Sequence, residues 1–284
     1  MVTLKLTLAA GIGLAGWGAL AGAERSFATA PLKALVQAPQ AEKAKEKWTS
    51  LFNGKDLSGW NTFLQKHGKD RDPDHVIAIE DGAIHLYKDA PERDQVVMGY
   101  ICTEKEYGNY HLRFQYRWGT KKFQPRYELK RDAGLYYHLN GPDKVWPQGL
   151  QFQIEQTNVG DLLTLFGFAL DTWIDPKTGS QDQATFMDPD KGGEARVLGG
   201  KGIGYQKHLA GDWEVEGWNT IEVITKGDTT VHILNGHTVN RGQNIRYTNP
   251  EQPGSTKPVT KGRIALEIEA AEIYFRNVEI SESE

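Results

Sequence analysis

The sequence has a single cysteine, no cluster of basic residues and only one long apolar run, and each shortage excludes a class of protein. Cys102 stands alone among 284 residues, so no disulfide can form within the chain. The 33 Lys and Arg residues are scattered and outnumbered by 37 Asp and Glu residues, which argues against binding to nucleic acid. The fold therefore depends on a packed core, for which eight Trp, eleven Tyr and ten Phe supply side chains.

The long apolar run lies at the beginning of the sequence. Residues 1–23 carry one charge, Lys5, followed by an apolar stretch and the small residues Ala21-Gly22-Ala23. This layout is typical of a secretory signal peptide, so we expect cleavage after Ala23 and a secreted or periplasmic protein. No later run is long and apolar enough to span a bilayer, and we expect no membrane span in the mature chain.

The rest of the chain divides into a linker and a folded domain. Residues 24–47 are rich in Ala, Lys, Glu and Gln, a composition typical of a flexible or loosely helical linker. Strand-like alternation begins after Trp48. The sequence therefore predicts a single domain over residues 48–284.

This domain is predicted to be all-β, because apolar residues alternate with polar ones in many short runs. In YHLRFQYRW (residues 110–118) the aromatic residues and Leu share one face, and His, Arg and Gln share the other. Turn dipeptides such as Asp81-Gly82 and Asn235-Gly236 separate the runs. Many short strands joined by hairpins predict a sandwich of antiparallel sheets.

The stretch LFNGKDLSGW (residues 51–60) is crowded with polar residues, yet it is predicted to be structural. Asn53-Gly54 is a tight-turn dipeptide, and the side chains of Asp56 and Ser58 can bond to their own backbone in turns. Ser58 has no G-x-S-x-G frame, which a nucleophilic serine of the hydrolase type would have. We interpret the stretch as the entry turn of the fold.

Three predicted strands carry polar and aromatic residues on the face opposite the core. Alternate residues share a strand face, which groups Asp132, Gly134, Tyr136 and His138; then Gln151, Gln153 and Glu155; and then Glu267 and Glu269. Aromatic rings pack against sugar C–H groups, while amides and carboxylates bind hydroxyls. The pattern favours a carbohydrate groove, although a solvated outer face shows the same alternation.

The resemblance to a known family is carried by seven motifs. In chain order they are SLFNGKDLSGW, ICTEKEYGNYHLRFQYRWG, KRDAGLYYH, QFQIEQTNVGD, GWNTIEV, LNGHTVNR and KGRIALEIEAAEIYFRNVEI. Together they resemble the 3-keto-disaccharide hydrolase domain, formerly domain of unknown function 1080, over residues 49–284. The resemblance implies a concanavalin-A-like jelly-roll β-sandwich of two antiparallel sheets, with the sugar held on the concave sheet.

The resemblance also implies cleavage of glycosides that carry a ketone at C3. A C3 carbonyl acidifies the C2 proton, so a base can remove that proton, the C1 substituent is expelled, and water adds back. We predict His138 or Glu155 as the base, and Glu269 and Asp161 as acid or metal ligand. The predicted sugar contacts are Asp132, Tyr136, Trp146, Gln151, Gln153 and Glu267.

The sequence leaves four alternatives open, two for the chemistry and two for the function. A divalent metal (calcium, magnesium, manganese or zinc), with Asp161 as a ligand, would stabilise the developing enolate. Glu155 and Glu269 would instead be the natural pair for ordinary two-carboxylate glycoside hydrolysis. The same groove would also suit a non-catalytic carbohydrate-binding module, and a third interpretation is a cell-surface interaction domain.

Overall fold

The computed structural model describes residues 46–181, 183–249, 251–252 and 254–283. The predicted signal peptide, and all of the predicted linker except residues 46 and 47, lie outside the described residues. The described part contains nineteen strands and two single-turn 3-10 helices, Pro176–Thr178 and Pro189–Lys191. No helix in this part of the chain is long and apolar enough to cross a membrane.

The strands form two sheets, and their bounds follow in chain order. They are β1 (Thr49–Ser50), β2 (Trp60–Leu64), β3 (Gly68–Lys69), β4 (Ile77–Glu80), β5 (Ala83–Leu86), β6 (Gly99–Thr103), β7 (Tyr110–Lys122), β8 (Asp132–Asn140), β9 (Gln148–Glu155), β10 (Leu162–Leu165), β11 (Phe168–Ile174), β12 (Glu194–Gly199), β13 (Ile203–Gln206), β14 (Asn219–Lys226), β15 (Thr229–Leu234), β16 (His237–Thr248), β17 (Thr256–Pro258), β18 (Arg263–Ile268) and β19 (Ala271–Glu282).

Both sheets are antiparallel. The eleven-stranded sheet has the order β12-β11-β16-β15-β14-β7-β19-β5-β4, with β1 added to β19 and β17 added to β16. The eight-stranded sheet has the order β13-β10-β9-β8-β18-β6-β2-β3. Every pairing between these strands is antiparallel. The predicted all-β jelly-roll sandwich is confirmed.

Strand β7 shows how alternation builds the core between the sheets. Its residues Tyr110, Leu112, Phe114 and Tyr116 are buried, and the residues between them are only half-buried. The buried side chains join one large apolar cluster with residues of the eight-stranded sheet, including Phe152. One face of β7 is therefore core, and its other face lies on the outside of the sandwich.

The central strands of the eight-stranded sheet differ from β7, because both of their faces are buried. Leu135 and Phe152 point into the main core. On the opposite face Tyr100, Tyr136 and Leu163 belong to a second, smaller apolar cluster. We call this second face the site face, because it also carries the buried polar side chains described below.

The stretch at residues 51–60 is a turn, as predicted. The side-chain oxygen Oδ1 of Asn53 accepts hydrogen bonds from the backbone of Lys55 (2.7 Å) and Asp56 (2.9 Å), and Asp56 accepts one from the backbone of Ser58 (2.9 Å). Bonds from Ser58 lower the pKa of Asp56 to about 2. The ring nitrogen of Trp60 donates to the carbonyl of Leu51 at 2.7 Å.

Replacing Trp60 at the end of this turn is expected to lower the stability of the fold, because the turn is structural and takes no part in the reaction. Trp60 is buried against the core, so Trp60→Ala should lower the free energy of unfolding by about 3–5 kcal/mol, measured by urea denaturation. Ser58→Ala, in the exposed part of the same turn, is the control and should keep full activity. Lost turnover in a stably folded Ser58→Ala protein would show that the turn takes part in the reaction.

Candidate active site

An ionic cluster lies on the site face where β8, β9 and β18 come together. Asp132 begins β8 and pairs with Glu155 at the end of β9, and an isolated bridge joins Asp132 to Glu269. Arg126, from the loop before β8, reaches between them. Its Nη1 lies 3.0 Å from Glu269 Oε1, and its Nη2 lies 3.9 Å from Glu155 Oε1 and donates to Asp132 Oδ2. We call these four residues the Arg126 cluster.

A hydrogen-bonded row of side chains continues from the cluster across the sheet. Gln153 donates from Nε2 to Asp132 Oδ1 at 2.8 Å. Gln151 Nε2 donates to Gln153 Oε1 at 2.5 Å and to Glu267 Oε2 at 2.8 Å, and the Tyr136 hydroxyl donates to the other oxygen of Glu267. All five side chains are buried. The row therefore joins the three central strands in one polar network.

Glycine is needed at one position beneath this network. A methyl group on Gly134 would lie 2.6 Å from Gln151 Nε2 and closer still to the Glu267 carboxylate. Without a Cβ, the backbone of β8 allows both side chains to approach it. Gly134 thus makes the space in which the amide and the carboxylate meet.

Three buried acids of the network, Asp132, Glu267 and Glu269, have raised pKa values. Burial raises the pKa values of Asp132, Glu267 and Glu269, and neighbouring carboxylates add to the effect of burial in each. The Arg126 guanidinium acts in the opposite direction on Asp132 and Glu269. Burial also disfavours the charge on Arg126, but the carboxylates outweigh it and raise the Arg126 pKa. The site thus combines an arginine whose charge is favoured with three buried acids whose pKa values are raised.

His138 does not lie on the site face, so its predicted placement is wrong. A register shift between Tyr137 and Asn140, with φ +52° at His138, interrupts the alternation of β8. The imidazole turns into the core, with ring centroids 6.3 Å from Tyr110 and 5.5 Å from Tyr137, and Leu139 takes the site face instead. Neither ring nitrogen has a hydrogen-bond partner among the described residues, and burial lowers the His138 pKa to about 4.

Asp161 is fully buried at the start of β10, where donors of the chain itself occupy its carboxylate. Tyr205 donates its hydroxyl to Oδ2 at 2.7 Å, and the backbone N–H of His208 donates to Oδ1 at 2.7 Å. His208 Nδ1 lies 2.5 Å from the same Oδ1. Asp161 therefore serves as the partner of His208.

The described residues do not fit the divalent metal that the sequence left open. Both oxygens of Asp161 are taken by hydrogen-bond donors, and the guanidinium of Arg126 occupies the place of a cation among the other carboxylates. No group of three or more His, Cys, Asp or Glu side chains within the described ranges is arranged to hold a metal ion. The positive charge of this site is supplied by arginine.

Trp146 is exposed on the loop between β8 and β9, with 44% of its surface accessible. The same loop carries Asp143, whose Oδ1 accepts the Tyr100 hydroxyl at 2.9 Å and Arg263 Nη2 at 3.2 Å. These bonds fix the loop on the site face, beside β6 and β18. The sugar contact proposed for Trp146 stays a prediction.

The alternation of polar and apolar residues along strands did not reveal Arg126, because this residue lies in a loop, where such alternation does not apply. A signal was nevertheless present in the charges. A face predicted to carry four carboxylates (Asp132, Glu155, Glu267 and Glu269) needs a cation, and the basic residues before Asp132 are the nearest candidates in the chain.

Comparison with models of known protein families shows which family this chain belongs to. A family model for the 3-keto-alpha-glucoside-1,2-lyase-like domain matches residues 47–281. The chain belongs to this family. The resemblance of its seven motifs is thereby confirmed, and no curated protein matches the chain.

Comparison with solved structures also found proteins similar to this chain. A protein of Parabacteroides distasonis, provisionally assigned as a glycosyl hydrolase, has a TM-score of 0.50 at 22% identity and covers 84% of this chain and 95% of its own. A second such protein from that organism gives 0.48 at 19% identity, covering 84% and 100%. The carbohydrate binding module CBM66 of Bacillus subtilis gives 0.40 at 12% identity, covering 79% and 96%.

Proposed function

We propose that this domain cleaves 3-keto-glycosides by removing the C2 proton and expelling the C1 substituent. Family membership supports the substrate class. The observation that carries the proposal is the position of Glu155 and Arg126 at the accessible edge of a buried acid cluster. Their side chains are 20% and 21% exposed, against 5% for Asp132 and 7% for Glu269. A base and a cation can thus reach a sugar together.

Glu155 is the proposed base. Its carboxylate takes the proton from C2, and the electron pair left on C2 shifts towards the C3 carbonyl, forming an enolate. Arg126 donates hydrogen bonds to the enolate oxygen, where negative charge develops. The enolate then expels the C1 oxygen, which leaves with a proton and gives a ketone conjugated to a C1–C2 double bond. Water added across that double bond completes hydrolysis.

The buried members of the network hold this geometry. Asp132 and Glu269 bind the guanidinium of Arg126, and Gln153 in turn binds Asp132. Because the buried amides and Tyr136 are bonded within the network, we propose that sugar contacts come mainly from Arg126, Glu155 and the exposed ring of Trp146. His138 is left out of the mechanism, because it lies in the core.

The proposal is tested with a 3-keto-glucoside and its unoxidised parent, each with and without a chelator. We expect cleavage of the ketone only, and exchange of its C2 hydrogen with deuterated water. Equal cleavage of the parent without exchange would instead indicate two-carboxylate hydrolysis. Saturable binding without product would indicate a carbohydrate-binding module. Loss of turnover on chelation would show that a metal takes part.

We also propose that the protein is exported and that its leader is removed. The mature protein recovered from periplasm or culture medium should begin at Glu24, because the small residues Ala21-Gly22-Ala23 end the leader. Intact-mass analysis measures this directly. An uncleaved chain in the membrane fraction would contradict the proposal and favour an anchor.

A further inference from the structure

A second ionisable pair lies close to the Arg126 cluster, and the steps above do not use it. Asp161 is fully buried, and its Oδ1 lies 2.5 Å from Nδ1 of His208. The other ring nitrogen of His208, Nε2, has a single long contact among the residues that the structure describes, 3.4 Å to the carbonyl of Gly211. The His208 side chain is 13% exposed. One nitrogen is therefore fixed by a buried carboxylate, and the other is free to exchange a proton.

The strand register places this pair beside the polar row. The backbone N–H of Gln153 donates to the carbonyl of Asp161 at 2.9 Å, so Asp161 stands next to Gln153. Strand β10 is the neighbour of β9, and β9 is the neighbour of β8, which carries Asp132. The proposed base Glu155 lies on β9 itself, two residues from Gln153 and on the same face, so the base and Asp161 stand on neighbouring strands, which lie about 5 Å apart.

Tyr205 links the pair electrostatically to the cluster. Its hydroxyl donates to Asp161. Burial raises the pKa of Tyr205, the charge of Asp161 adds to this, and Glu155 and Asp132 make smaller contributions. The acids of the proposed site are thus close enough to act on the residue that holds Asp161.

We propose that His208, aligned by Asp161, donates the proton to the C1 oxygen as it leaves. This role rests on the function proposed above. Asp161 accepts from Nδ1 and so fixes the imidazole, leaving Nε2–H as the donor. The Nε2 proton passes to the oxygen while the C1–O bond breaks. The neutral ring then takes a proton from the water that adds to C1, which restores the imidazolium. Asp161 is a positioning residue in this scheme.

Glu269 is the other candidate for this proton, and its surroundings argue against it. The Glu269 side chain is 7% exposed, and its carboxylate lies 3.0 Å from the guanidinium of Arg126. If Glu269 delivered the proton, it would become a buried anion next to Arg126, the cation that stabilises the enolate. His208 is separate from that ion pair, so it can change charge without disturbing the pair.

If His208 protonates the leaving oxygen, the loss of turnover caused by its removal should depend on how easily the leaving group departs without a proton. A sugar alkoxide needs a proton to depart, whereas para-nitrophenolate does not. For His208→Gln we expect a loss of turnover of about 10²–10⁴-fold on a 3-keto-disaccharide, and less than about 5-fold on para-nitrophenyl 3-keto-glucoside. Exchange of the C2 hydrogen should be unchanged. Asp161→Asn should show the same selective loss, which a merely structural role would not produce.

His208→Asn and His67→Gln complete the test. His208→Asn keeps an amide donor near the position of Nδ1, so Asp161 keeps a hydrogen-bond partner. This variant replaces His208→Gln in the test if His208→Gln fails to fold. His67 forms a comparable pair with Asp74 at 2.7 Å, next to β3 at the opposite edge of the eight-stranded sheet, and its loss should change nothing.

Two results would overturn the role of His208 while the proposed function stands. These are full activity on the disaccharide, or an equal loss on both substrates, in a folded His208 variant. A wild-type protein that neither cleaves a 3-keto-glycoside nor exchanges its C2 hydrogen would overturn the proposed function, and the role of His208 with it.

Discussion

Glu155→Gln is expected to lower turnover of a 3-keto-glucoside by about 10²–10⁴-fold and to leave sugar binding nearly unchanged. The amide keeps the shape of the side chain and its capacity for hydrogen bonds, but it cannot take the C2 proton. Glu155 lies at the edge of the cluster, 3.9 Å from Arg126. Loss of its charge should therefore leave the fold intact.

Initial rates and calorimetric titration with an uncleaved analogue separate these two effects. Exchange of the C2 hydrogen should be lost together with turnover, because Glu155 is proposed to act before the leaving group departs. Glu251→Gln, an exposed residue in the loop between β16 and β17, is the matched control and should behave as wild type. Full activity of a Glu155→Gln protein on a confirmed substrate would rule out Glu155 as the base.

Arg126→Gln is expected to lower both the turnover and the free energy of unfolding. Removing the guanidinium takes away the charge opposite the enolate, a change that typically lowers turnover by about 10²–10³-fold. It also leaves the buried carboxylates of Asp132 and Glu269 without their ion-pair partner. Breaking such a buried pair costs about 3–5 kcal/mol of unfolding free energy while the acids stay charged.

The stability loss in Arg126→Gln should depend on pH. The folded-state pKa values of Asp132, Glu267 and Glu269 are raised, so the folded protein binds more protons than the unfolded chain between the ordinary carboxyl pKa and the raised values. Stability therefore falls as pH rises through that window. Removal of Arg126 raises the pKa values of Asp132 and Glu269 further, so the difference from wild type should grow as pH rises above the ordinary carboxyl pKa values.

Urea denaturation of both proteins across this pH range provides the measurement. Arg71→Gln removes an exposed arginine and should show neither the stability loss nor its pH dependence. A constant difference between Arg126→Gln and wild type at all pH values would show that the guanidinium acts through packing alone. Unchanged turnover in a folded Arg126→Gln protein would remove Arg126 from the mechanism.

The sequence by itself determined the fold class and most of the polar face. A strand turns alternate side chains to opposite faces, so the residues that alternate with the polar ones were expected to face the core, where Leu135, Phe152 and Leu266 lie. The same parity placed Asp132, Glu155 and Glu267 on the opposite face, where the structure brings them together. Asn53 and Asp56 marked a turn, because their hydrogen bonds are local.

Only the tertiary structure decided which of these residues meet and with what partners. A bulge in β8 turns His138 into the core, and a bulge depends on pairing with neighbouring strands that parity within one strand cannot show. Arg126 enters from a loop, and His208 meets Asp161 across 47 positions of sequence. Contacts of this kind are set by the packing of distant segments. The acid-bearing strands, and the need for a cation beside them, could therefore be predicted from the chain, whereas which arginine and which histidine complete the proposed site could not.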